Sequence, residues 1–209
     1  MTDFRIPKPG VVAAIAASLG ADTGAEAKVA SRLMLLTRMG FPSGANTGRG
    51  YRGGSSLDQF WRLILAFHVL EVGITLSKAI EMVNESWDIA YLAIARSLPE
   101  SRDQDFSFFW VVAPAGIQNF NLARNCAESG PLMHPIQTIA LEEAQVSHGI
   151  PGLENVRTYT VINARMAVED ALTALAAPDL EIDSADLNNA LQEWASAPEK
   201  RLRQLLAKK

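Results

Sequence analysis

Cysteine, histidine and long apolar runs are all scarce in this chain, and each scarcity closes a class of function. Cys126 is the only cysteine, which excludes an intramolecular disulfide and any multi-cysteine metal cluster within one chain. A lone thiol fits a reducing compartment, so the expected location is the cytoplasm. His68, His134 and His148 are the only imidazoles, too few for a dedicated transition-metal site, so neither a metal nor another cofactor is expected. No apolar run reaches the roughly 18 residues needed to span a bilayer, and no membrane association is expected. Val11 to Leu19 is apolar but short, without the charged start and long apolar middle of a secretion signal.

What remains is the composition of an ordinary globular protein, 48% hydrophobic and 20% charged, for which a packed core is expected. The 209 residues suffice for one large domain or two small ones. Charge is divided unevenly along them. Residues 1–80 hold nine Lys and Arg against five Asp and Glu, a net +4, whereas residues 81–199 hold five against eighteen, a net −13. The last ten residues add five basic residues and no acid. A basic first third on an acidic remainder is the pattern of a nucleic-acid-binding module joined to a non-binding one. The alternative is a charge distribution that serves only solubility.

Along the chain, residues 1–8 read as a flexible arm. Pro9 suits a helix start because its missing N–H would be unpaired there, and Val11–Leu19 reads as a short helix stopped by Gly20. Ala21-Asp22-Thr23-Gly24 is a turn with capping oxygens for the next helix. That helix, Ala25–Met39, turns Ala25, Val29, Leu33 and Leu36 toward the core and groups Lys28, Ser31, Arg32 and Arg38 on another side. Gly40 ends it. Phe41–Ser56 contains five glycines and the basic run Arg49-Gly50-Tyr51-Arg52, a flexible hairpin whose guanidinium groups suit phosphate oxygens. Leu57–Leu70 is nearly all apolar and reads as a central core helix. Gly73 breaks it, and Thr75 is placed to cap a short helix through Val83, with a further helical patch at Trp87–Leu98.

Pro99–Asp105 is polar and is read as the domain boundary. Beyond it, Phe106–Val112, Thr138–Leu141 and Arg157–Ile162 read as strands, with a helix at Gln118–Glu128 between the first two. Ala164–Ala176 reads as an amphipathic helix stopped by Pro178. Leu187, Leu191 and Trp194 stripe another helix, suited to a dimer interface, and Pro198 separates it from a basic end, Lys200–Lys209. That end is either a second phosphate-binding tail or a helix terminus whose charges complement its own dipole.

No catalytic residue is assigned. Cys126, His134 and His148 lack any orienting motif of a thiol nucleophile and read as a buried thiol and two surface or hydrogen-bonded imidazoles. His68 reads as a half-buried packing residue. Glu142-Glu143 and Glu169-Asp170 are neighbours whose side chains diverge, so solvation is expected rather than acid–base work.

The order helix, turn, helix, basic loop, helix pair resembles the MerR-type winged helix-turn-helix regulators over about residues 10–84. Arg38-Met39-Gly40-Phe41-Pro42 resembles the end of that family's second helix. Gly50-Tyr51-Arg52, within Arg49–Arg52, resembles its wing. Glu71-Val72-Gly73-Ile74-Thr75-Leu76 resembles the corner after its third helix, with Lys78-Ala79-Ile80 continuing the fourth. The chain departs from the family at Leu35-Leu36-Thr37, where Arg-Tyr-Tyr is usual. It also lacks the metal-sensing cysteines, and Pro99 leaves no length for the long dimerisation helix.

The resemblance implies double-stranded DNA as partner. Lys28, Ser31, Arg32 and Arg38 would lie on the groove-facing helix, with Arg49, Tyr51 and Arg52 on the wing. The plainer alternatives are a solvated helix face for Lys28 and Arg32 and a packed loop anchor for Tyr51. The expected fold is mainly α with a smaller α+β part: an N-terminal winged helix-turn-helix over residues 1–98 and an acidic α+β domain over 106–209 that dimerises or recruits a protein partner. The expected function is that of a sequence-specific, homodimeric transcriptional regulator. The alternative is a winged-helix adaptor that binds a protein rather than DNA.

Overall fold

A computed structural model describes residues 4–22, 24–44, 54–99, 107–112, 136–141 and 160–206. They are mainly helical. The helices are α1 (Lys8–Ser18), α2 (Glu26–Arg38), α3 (Leu57–Glu71), α4 (Leu76–Ser97), α5 (Ala164–Leu175) and α6 (Ser184–Leu206). The strands are β1 (Ser107–Val112), β2 (Ile136–Leu141) and β3 (Thr160–Asn163). The chain divides into two compact units, residues 1–64 with 167–209, and residues 65–166. The division falls inside α3 and inside α5, so it differs from the segments 1–98 and 106–209 read from the sequence.

In the first unit, α1 and α2 end in the same way. Gly20 adopts a φ of 61° and Gly40 a φ of 76°, the left-handed conformation that costs glycine least. After α1, Gly20 N–H donates to the Ala17 carbonyl and Ala21 N–H to that of Ala16. After α2, Gly40 N–H donates to Thr37 and Phe41 N–H to Leu36. Each pair satisfies carbonyls the helix leaves open, and Phe41 and Leu36 are both buried beneath the second one. The turn before α2 is built otherwise than expected. Its N-cap is Ala25, with no side-chain cap bond, and Glu26 instead accepts from Gly24 N–H at 3.0 Å.

The amino-terminal arm is not free as far as Ile6. That residue is fully buried, and its N–H and carbonyl exchange hydrogen bonds with Ser55, both at 2.9 Å. Burying an isoleucine side chain contributes about 1.5–3 kcal/mol, which offsets the ordering of so short a segment. Close packing continues at Gly10 on α1, where an added Cβ would meet Ile6 Cγ2 and Leu175 Cδ2 at 3.3 Å and Ile182 Cδ1 at 3.4 Å. The amino-terminal helix thus packs against residues at the end of α5 and just before α6.

Ser56 and Gln59 form a reciprocal cap on α3. Gln59 N–H donates to Ser56 Oγ at 3.3 Å, and Ser56 N–H donates to Gln59 Oε1 at 3.1 Å, which satisfies two donors of the helix start. Trp61 packs edge-on to Phe60, with centroids 4.7 Å apart, and lies 6.3 Å from the Trp194 ring of α6. Leu187 and Leu191 are buried, so the stripe expected to form a dimer interface is used inside the chain. Asp183 caps α6 through Oδ1, accepting from Ala185 and Asp186 N–H at 2.8 and 2.9 Å. The helix then runs on through Pro198 to Leu206. Proline removes one backbone bond and crowds the preceding turn, but here it does not separate two helices.

In the second unit β1 is the central strand of an antiparallel sheet ordered β2-β1-β3. Trp110 stands opposite Thr138 on one side and Ile162 on the other. The unit's long helix, α4, is continuous over 22 residues, where the sequence suggested two shorter pieces. Thr75 is at its N-cap without a side-chain bond. Ala79, Met82, Val83, Ser86, Trp87, Ala90, Ala93 and Ile94 are buried along it. Two bonds tie the helix to the sheet: Trp110 Nε1–H donates to the Ala90 carbonyl at 3.3 Å, and Ile136 N–H donates to Ser86 Oγ at 3.1 Å. His68 lies beside Trp110, with ring centroids 6.0 Å apart. Among the described residues no helix is long and apolar enough to cross a membrane.

Candidate nucleic-acid interface

Helix α2 buries Val29, Leu33 and Leu36, a spacing of four and three that defines its inner face. Lys28, Ser31, Arg32 and Arg38 are all exposed, so the four residues expected on another side of this helix do lie off its buried face. Their arrangement follows from helical geometry. Lys28, Arg32 and Leu35 fall at i, i+4 and i+7 on one stripe, extended by Met39 at i+11 just beyond the last turn. Ser31 and Arg38 lie round the helix from that stripe, two turns apart on a common row. The Ser31 hydroxyl donates to the Ala27 carbonyl of its own helix at 2.9 Å, which leaves its lone pairs as its outward polar feature.

The charges that α2 itself contributes to this face are all basic. Between Ala27 and Met39 the sequence carries Lys28, Arg32 and Arg38 and no acid. The only acid on α2 is Glu26, in the first turn, where a carboxylate complements the helix dipole. Arg38 does the same for the last turn.

Apolar residues share the face, a feature that the charge pattern alone does not reveal. Met34, Leu35 and Met39 are 45%, 46% and 50% exposed. Their signal was present in the spacing: Leu35 is one residue out of step with the Val29–Leu33–Leu36 stripe, so it cannot join the core without unwinding the helix.

Arg49, Tyr51 and Arg52 lie outside the described residues, but both ends of their loop are described and fixed. At the entry, Gln59 Nε2–H donates to the Ser43 carbonyl at 3.2 Å. At the exit, Ser55 pairs with Ile6, and Arg5 Nη1–H reaches the Gly54 carbonyl at 3.3 Å. A side chain at Gly54 would run into the backbone of Ile6 and Pro7. The loop therefore leaves and re-enters the same unit that holds α2.

Among the described residues the other sequence candidates assemble no competing site. Cys126, His134, His148 and the Glu142-Glu143 pair lie outside the described residues. Asp170 is exposed, and its carboxyl is raised by partial burial first and by the neighbouring Glu169 charge second. Among the described residues His, Cys, Asp and Glu form no group of three or more that could hold a metal ion. Comparison with known proteins adds no relative: no family model, no curated protein and no solved structure matches the chain.

Proposed function

We propose that this chain is a sequence-specific DNA-binding transcriptional regulator of the winged helix-turn-helix kind, acting as a cytoplasmic homodimer. The observation that carries the reading is the exposed, acid-free basic face of α2, with Lys28, Ser31, Arg32 and Arg38, in the same unit as a basic loop anchored at both ends. Helix α2 enters the groove, and Arg49, Tyr51 and Arg52 hold the phosphate backbone from the loop. Phosphate contacts supply most of the affinity and make it salt-dependent. The resemblance to MerR-type regulators over residues 10–84 belongs to the same proposal.

Fluorescence anisotropy of random-sequence duplex DNA, titrated with protein at several salt concentrations, tests it. Binding should weaken steeply with salt. Arg52→Ala should lower affinity for all sequences alike and reduce the salt slope by about one. An Arg52→Ala protein that binds as tightly as the unaltered chain at moderate salt removes the wing from the proposal.

The second reading is an adaptor that uses this face to bind a protein. The exposed Met34, Leu35 and Met39 side chains favour it, because apolar area and arginine together are characteristic of protein interfaces. Absence of DNA binding even at low salt would transfer the proposal to that partner class.

A further inference from the structure

We infer that Leu35 reads a thymine 5-methyl group next to a guanine contacted by Arg32. The inference rests on the DNA-binding reading and goes beyond it by naming what the groove-facing helix selects. Lys28, Arg32 and Leu35 occupy one exposed stripe of α2, and Leu35 is 46% exposed with no acid between Ala27 and Met39. A face of that charge is complementary to a polyanion. A leucine at its centre is then placed where a duplex would cover it.

The major groove offers one apolar feature to such a side chain, the methyl group of thymine, while arginine pairs bidentately with guanine O6 and N7. Residues three apart on a helix have Cβ atoms roughly 5–6 Å apart. Base pairs are stacked about 3.4 Å apart. Arg32 and Leu35 therefore address positions one or two base steps from each other. The selected site should contain a guanine with a thymine methyl one or two steps away.

The test begins by selecting a preferred duplex from a random pool with the full chain. Its affinity is then compared with that of the same duplex carrying deoxyuridine for every thymine, which removes the methyl group and leaves the hydrogen-bonding edge unchanged. Removing one buried carbon corresponds to about a fourfold loss of affinity. The unaltered protein should lose about that factor per contacted thymine, with an unchanged salt slope. Leu35→Ala, at an exposed position that alanine suits, should bind the thymine duplex more weakly and no longer distinguish it from the deoxyuridine duplex.

Equal, salt-dependent affinity for the two duplexes would overturn the methyl readout and leave the DNA-binding reading standing. So would a selected site without thymine. Discrimination that persists in Leu35→Ala would assign the effect to DNA shape or to another residue and overturn it as well. No binding to any duplex at low salt would overturn both, and would give the Leu35 face to a protein partner.

Discussion

His68 shows how burial of one titratable side chain can make stability depend on pH. It follows Phe67 on α3, and its Nε2 is buried with no hydrogen-bond partner among the described residues. Burial pushes its pKa from the ordinary 6.5 down to about 4, only partly opposed by the charge of Glu71. The imidazole is thus neutral at pH 7 and packs as a flat ring beside Trp110. Its titration sets a pH dependence of stability. In the unfolded chain His68 takes up a proton near pH 6.5, whereas in the folded chain it does so only near pH 4. The unfolded state holds more protons between those values, so the contribution is complete above pH 6.5 and is lost as pH falls toward 4. Thermal melts of His68→Phe should therefore show a shallower fall in Tm across that window than melts of the unaltered chain. Parallel curves would mean that His68 is protonated or hydrated in the fold.

At the scale of elements, the ends of helices were legible wherever glycine had to adopt positive φ. Gly20, Gly40 and Gly73 all do so, and α1, α2 and α3 stop just before them. The continuity of α4 was not legible, because Asn84-Glu85-Ser86 reads as a polar gap. No glycine or proline interrupts it, however, and Ser86 is buried as an acceptor for Ile136 N–H, a contact fifty residues away that no local pattern contains. The pinned arm was missed for the same reason: Ile6 meets Ser55 only in the fold. Of the candidate interface, the basic face of α2 was legible from a spacing of three and four, whereas its exposed methionines and leucine were not, because apolar residues at helical spacing read first as core. Gly54→Ala should break the two Ile6–Ser55 bonds, each worth about 1 kcal/mol, and lower Tm by roughly 4–8 °C. If the loop is the proposed phosphate clamp, DNA affinity should fall with it. An unchanged Tm would show that the exit of the loop tolerates a side chain by moving aside.

At the scale of the whole molecule, the chain's charge division and its contact division do not coincide. Residues 1–80 are basic, but the unit that contains α2 is completed by residues 167–209. Two contacts make that dependence concrete. Leu175 and Ile182 stand against Gly10 on α1, and Trp194 lies against Trp61, whose side chain is fully buried. A fragment of residues 1–98 contains all of the resemblance to a winged helix-turn-helix, yet it lacks these partners. It should therefore show no cooperative thermal transition, and its tryptophan fluorescence should be red-shifted as Trp61 meets water. In the full chain, Leu175→Ala should destabilise the fold by about 2–5 kcal/mol, the usual cost of emptying a buried leucine site, because Leu175 is buried at the foot of α1. A fragment 1–98 that melts cooperatively near the temperature of the full chain would show instead that the amino-terminal helices form an autonomous domain. The carboxy-terminal helices would then be an addition to it rather than part of its core.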